Sequence, residues 1–271
     1  PPYSLEPEVQ QTIIDYTVKV GLGLKIIGPF NIQFVVDGDK KVYIIEVNPR
    51  SSRTVPFLAK TTGAPIADIA TKVMLGFTLK ELGYTGVYPK KKRWYVKAPT
   101  FSYSKLTGLD AVLSPEMKST GEAIGYDDTL TRAVYKALKA SGLRVDNYGT
   151  VFATIGDQDK AAALPLIRRF YDLGFNIEAT EGTAKYLKNA GIRTRVRKKL
   201  SQGSDEILQG LRRGYVTYVV NTITEGGSGH ADGMEIRRTA VENNVPVFTS
   251  LDTVRVLLDV LEETTMGVSE I

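Results

Sequence analysis

Apolar residues alternate with other types over residues 31–34 and again over 43–48, a period of two that predicts a pair of adjacent short strands. Ahead of them, Val9, Ile13, Ile14, Tyr16 and Val20 recur at helical spacing with Gly21 and Gly23 near the end, which predicts a helix over 5–26. Two further helices are expected over 66–75 and 79–82, after the turn at Pro65. Residues 94–96 (Trp94, Tyr95, Val96) read as strand, 108–125 as turn-rich, and 129–140 as a helix that stops at Gly142, a suitable C-cap.

From residue 149 the pattern changes to short apolar runs separated by longer helical stretches. Strands are predicted over 150–155, 176–179, 193–196, 215–221 and 245–248, with helices around 158–173, 182–190, 203–213, 231–243 and 252–263. This alternation is that of a doubly wound parallel sheet, an α/β fold in which ligands bind beyond the carboxyl ends of the strands. The expected division is 1–90, then a helical linker region over 91–147, then a domain over 148–271.

Composition narrows the class. The 271 residues suffice for about two domains, and 42% hydrophobic with 24% charged residues is the balance of a globular protein. No long apolar run or leader pattern suggests a membrane span or signal peptide. The chain has no cysteine, which excludes disulfides and thiolate metal sites and fits a cytoplasmic protein. A net charge of +5 suits an anionic ligand. Nucleic acid is not expected as a partner, because basic residues cluster only at 90–93, read as a solvated loop, and at 193–199.

Two places collect candidate chemistry. The first strand pair delivers Gln33, Glu46 and Asn48 to one edge, and Arg50 and Arg53 follow the Asn-Pro turn. Mg²⁺ favours a carboxylate and neutral oxygens together with nucleotide phosphates, and arginine binds phosphate oxygens bidentately. These residues therefore point to a metal–ATP site, the competing reading being a strand that simply turns at Asn48-Pro49. In the second half, Thr154 and Lys160 follow one strand, and Thr180-Glu181-Gly182-Thr183 opens a helix after the next. Lys199 and the pair Asn221-Thr222 end the two after that. Backbone N–H groups at a helix start between threonine hydroxyls suit a phosphate, although a threonine there is commonly just an N-cap.

The first constellation, Gln33 followed by Glu46-Val47-Asn48-Pro49-Arg50 and then Arg53-Thr54, resembles the end of an ATP-grasp domain of the kind found in carbamoyl phosphate synthetase large chains. The second half resembles the methylglyoxal-synthase-like domain, and Ser114-Pro115-Glu116-Met117-Lys118-Ser119-Thr120-Gly121-Glu122 lies between the two as in those large chains. The resemblance implies a C-terminal fragment of such a chain, with Pro1 falling inside the second ATP-grasp unit. Gln33, Glu46 and Asn48 would then bind metal (Mg²⁺ or Mn²⁺) with ATP, and Arg50 and Arg53 would face phosphate. Thr154, Lys160, Thr180, Thr183, Lys199, Asn221, Thr222 and Asp232 would bind a nucleotide or phosphoribosyl effector such as UMP, IMP or phosphoribosyl pyrophosphate. The implied partners are the remainder of the large chain, a glutamine amidotransferase small chain and further large chains in an oligomer.

Two departures stand out. Where ornithine-activated relatives have Lys-Glu-Val-Val-Leu-Pro-Phe, this chain reads Lys97-Ala98-Pro99-Thr100-Phe101-Ser102-Tyr103, without the glutamate. The segment after Asn221 is rich in glycine (Gly226, Gly227, Gly229). Other classes compete: a module that only senses a nucleotide, or a lyase in which Asp205 and His230, the one histidine, act on the substrate.

Overall fold

A computed structural model describes residues 3–89, 91–103, 105, 108, 111–113, 116–222 and 228–266. Pro1, Ser114, Pro115, Gly226 and Gly227 lie outside the described residues. The chain forms two compact units, divided between Lys92 and Arg93. Among the described residues no helix is long and apolar enough to cross a membrane.

The first unit begins with α1 (Pro7–Gly23), with proline in the first turn, where its missing N–H costs nothing. The antiparallel strands β1 (Asn31–Val36) and β2 (Val42–Asn48) follow. Their register pairs Gln33 with Glu46 and Phe34 with Ile44, leaving Ile45 without a partner. Such a bulge re-aims the side chains beside it. Next come α2 (Thr54–Thr62) and α3 (Ile66–Met74). The sequence hides α2 because Pro56 reads as a breaker, yet in a first turn it interrupts no helical bond. Residues 79–82 make a single turn instead of a helix. Thr78 and Glu81 bond reciprocally as at a helix start, but Gly83 at φ +78° closes it at once. Among the described residues of this unit only Val9, Val42 and Ala64 are buried hydrophobics, while Leu22, Leu24, Ile27, Ile45, Met74 and Leu75 are each more than half exposed.

The second unit opens with β3 (Trp94–Thr100) and β4 (Gly121–Asp127), an antiparallel pair, and α4 (Leu130–Ala140). Strand β4 falls within the stretch expected to be turn-rich. Its glycines, which suppress the strand pattern, are there for space: a Cβ on Gly125 would lie 2.1 Å from the Ala133 carbonyl oxygen and 2.3 Å from the Ala137 nitrogen. Helix α4 is capped by Thr129, which accepts from the Arg132 N–H, and is followed by Gly142 at φ +88°. The 93–147 stretch is therefore not the helical linker expected: cross-strand pairing makes a β-hairpin of its first part, only α4 is helical among the described residues, and it belongs to the same compact unit as the sheet that follows. Arg132 on α4 pairs with Glu263 at 3.1 Å, and the Tyr218 hydroxyl both accepts from the Asp146 N–H and donates to its carbonyl. Burial pushes that hydroxyl's pKa up to about 12.

The central sheet has five parallel strands, β5 (Thr150–Thr154), β6 (Asn176–Thr180), β7 (Thr194–Arg197), β8 (Tyr218–Asn221) and β9 (Val247–Phe248), in the order β7-β6-β5-β8-β9. Between them run α5 (Lys160–Asp172), α6 (Glu181–Asn189), α7 (Glu206–Arg212) and α8 (Ser228–Glu242), and α9 (Leu251–Met266) closes the unit. Because successive side chains point to opposite faces, Val151 and Ala153 enter one core with Ile167, Phe170 and Leu258, whereas Phe152 enters the other with Leu211, Val219 and Ile236. Arg169 ties α5 to α9 through Glu262 and Asp259, both at 2.7 Å, and its guanidinium holds the Glu262 carboxyl below the usual range.

Candidate functional site

The chain enters the sheet at β5, runs outward through β6 and β7, and returns to β8 on the other side of β5. The crevice beyond β5 and β8 is therefore where the connections diverge, the place where open α/β sheets bind ligands. A cavity of about 570 Å³ lies there. Thr154 and Asn221, partners in the β5–β8 register, end the two strands at its floor. Thr180, Gly182 and Thr183 line it from the start of α6, Lys160 from α5, Lys199 from the end of β7, and Thr222 and Asp232 from the β8–α8 side. The eight residues expected at an effector site thus all line one cavity.

Their hydrogen bonds divide them into two groups. Thr183 Oγ1 accepts from the Ile155 N–H at 3.1 Å and Thr222 Oγ1 from the Gly156 N–H at 2.8 Å. Asp232 takes the N–H and the hydroxyl of Ser201 at 3.1 and 2.9 Å. These three brace the loops around the cavity. Thr180, only 6% exposed, does not cap α6 with its hydroxyl. The leading N–H groups of that helix have no side-chain cap, a place where the helix dipole favours an anion, while the Thr180 hydroxyl donates to Thr183 Oγ1 at 3.5 Å. The Thr154 hydroxyl and the Lys199 ammonium make no hydrogen bond or ion pair among the described residues.

Lys160 is largely buried and its Nζ meets Asp157 Oδ1 at 2.5 Å. A Cβ on Gly182 would come 3.5 Å from that same Nζ, so the ammonium sits against the first turn of α6. The Lys160 hydrogen bond and charge, with a smaller contribution from Lys199, hold the Asp157 carboxyl below its ordinary range. Asp157 is 94% exposed, so this ion pair has one buried partner and one solvated one.

Sequence reasoning missed Arg237, which is 2% exposed and donates from Nη1 to Asn221 Oδ1 at 2.5 Å. The signal was its helical spacing from Gly233, Ile236 and Ala240 on the face of α8 turned to the sheet. Asp205 and His230, the residues of a lyase reading, are not among those lining the cavity. Asp205 instead accepts from Gln209 at 2.7 Å.

In the first unit, the β1–β2 register sets Gln33 opposite Glu46 and Asn31 opposite Asn48. Asn48 Nδ2 donates to Glu46 Oε1 at 2.9 Å, which leaves Asn48 Oδ1 and Glu46 Oε2 as acceptors on the same strand face. Arg50 turns its Nη1 back to the Ser51 carbonyl at 3.1 Å, and Arg53 is exposed just before α2. No group of three or more His, Cys, Asp or Glu side chains is placed to hold a metal among the described residues. One carboxylate with carboxamide oxygens suits Mg²⁺ only when phosphate and water complete the shell, which is how that ion sits in nucleotide sites.

The two units thus join a segment with a strand-borne Gln33, Glu46 and Asn48 to a doubly wound domain with a cavity at its switch point. Residues 1–82 match the family described as carbamoyl-phosphate synthase L chain, ATP binding domain, and residues 162–249 match the MGS-like domain. In this order the two matches are those of the C-terminal part of a carbamoyl-phosphate synthase large chain. Among solved structures, methylglyoxal synthase from Elizabethkingia anophelis NUHP1 is 17% identical and aligns over 42% of this chain and 79% of its own, with a TM-score of 0.38.

Proposed function

We propose that the C-terminal domain is an effector site for a nucleoside monophosphate or phosphoribosyl compound and that, in the complete large chain, the first unit serves ATP-dependent phosphorylation of carbamate. The carrying observation is the convergence of Lys160, Thr180, Lys199 and Asn221 on one cavity at the sheet's switch point. An uncapped helix start and two lysines suit the phosphate, and the cavity is large enough for a sugar and base beside it.

Glu46, Asn48 and Gln33 would hold Mg²⁺ with ATP in the first unit. When bound, that ion supplies charge neutralisation at the transferring phosphoryl group. Arg50 and Arg53 are the residues to orient phosphate, and Arg50 would exchange its contact with the Ser51 carbonyl for it. The sparse burial of the first unit supports a covering surface supplied by the remainder of the large chain. The glutamine amidotransferase small chain, association of large chains and a cytoplasmic location follow from the same family reading.

Calorimetric titration of the 271-residue chain with UMP and with phosphoribosyl pyrophosphate tests the effector site. Thr180→Ala or Lys199→Ala should weaken binding by about 1–3 kcal/mol, the cost of a lost hydrogen bond to a charged group. Unchanged affinity in both variants removes the site. Methylglyoxal formation from dihydroxyacetone phosphate would favour the lyase instead.

A further inference from the structure

Asn221 ends β8 at the cavity and is 4% exposed, so the direction of its carboxamide decides what it offers a ligand. A carboxamide has an accepting and a donating end, and the neighbouring network fixes which is which. Here the neighbour is Arg237, a guanidinium that has donors only. Its Nη1 reaches Asn221 Oδ1, and this contact is inside the protein, not at its surface. The Nδ2 end is left without a hydrogen-bond acceptor among the described residues. Gly233, one turn before Arg237 on α8, closes the arrangement. A Cβ there would stand 2.9 Å from Arg237 Nη1, 3.4 Å from Asn221 Oδ1 and 3.5 Å from Nδ2, so only glycine lets helix, guanidinium and carboxamide meet this closely.

We propose that Arg237 is a positioning residue of the effector cavity: by engaging Asn221 Oδ1 it turns Nδ2 toward the ligand, so that this end of the cavity selects a hydrogen-bond acceptor, a sugar or carbonyl oxygen of the nucleoside. The inference rests on the effector reading above. It divides the cavity into a phosphate end at α6, served by Lys160 and Thr180, and an acceptor-reading end at β8 that Arg237 controls from behind.

The test uses the whole chain with two probes, UMP and inorganic phosphate, titrated calorimetrically or in competition. Arg237→Met should weaken UMP about tenfold, the loss of one oriented hydrogen bond, and leave inorganic phosphate unchanged. Gly233→Ala, which displaces the pair without removing a charge, should do the same. Asn221→Asp keeps the oxygen that Arg237 engages but replaces the donor with an anion. It should retain thermal stability and lose UMP affinity by more than the other two. A merely structural role for Arg237 would lower both probes together. Equal loss of UMP and phosphate, or unchanged UMP affinity in Gly233→Ala and Asn221→Asp, overturns the proposal. Should Arg237→Met not fold, those two variants decide alone. If wild-type chain binds neither probe, the effector reading itself fails. If it binds UMP and Thr180→Ala weakens it while the β8-end variants do not, only the present inference fails.

Discussion

Lys160 and Asp157 provide a sharp test of how the cavity takes up an anion. At the cavity the ammonium is held by Asp157 at 2.5 Å, against the start of α6. A phosphate arriving at that helix gains a charge-assisted hydrogen bond from Lys160, worth about 1.5–3 kcal/mol. It first displaces a solvated carboxylate, whose exposed ion pair offsets little of that gain. Lys160→Ala should therefore weaken UMP roughly ten- to a hundredfold. Asp157→Ala should tighten it a few-fold, because the lysine is released in advance. The effects should not add. In the Lys160→Ala background, removing Asp157 has no lysine to release and should change affinity little. Acid should mimic Asp157→Ala: the carboxyl's lowered pKa keeps the pair intact at neutral pH, and it is lost as pH falls through that value. Calorimetry on the four chains at one salt concentration gives the cycle. An equal gain from Asp157→Ala with and without Lys160 would mean that Asp157 acts by simple repulsion, and that the competition between carboxylate and ligand is wrong.

Gly125→Ala should destabilise the chain by about 1–3 kcal/mol or more through overpacking, since its Cβ would lie within 2.3 Å of backbone atoms of α4; an unchanged urea midpoint would contradict that packing. In the complete enzyme, Glu46→Ala or Asn48→Ala should abolish ATP synthesis from carbamoyl phosphate and ADP, while the isolated chain should show no ATP hydrolysis above a Glu46→Ala control. Ornithine should activate the complete enzyme weakly or not at all: Ala98 is buried on β3 opposite Ala123 and offers no carboxylate to an ammonium group. Several-fold activation at sub-millimolar ornithine would show that another acid serves.

The sequence by itself determined the parts whose information is local. Periods of two and of about 3.6 residues located the five strands of the sheet and the helices between them, and Thr129 with Gly142 bracketed α4 through cap chemistry that needs no distant partner. Strand β7 was legible from the alternation of Thr194 and Val196 with arginines, although at this sheet edge Val196 is exposed and Arg197 is tied to Glu178. The gathering of strand-end residues at one edge also followed, since parallel strands share a direction.

What pairs across the chain was not legible. Strand β4 exists because β3 lies beside it and Gly125 admits α4, so its glycines read as turn residues until the partner is present. The bulge at Ile45 depends on β1. The division of labour within the cavity is likewise tertiary. Thr183, Thr222 and Asp232 read only as ligand contacts in sequence, and it takes the fold to show that they also bond to the loops around the cavity. Arg237 looks like a surface arginine, and only the packing of α8 on the sheet buries it against Asn221. The physical reason is common to these cases: hydrogen-bond valence is local to an atom, but which neighbour fills it is decided by the chain's distant segments.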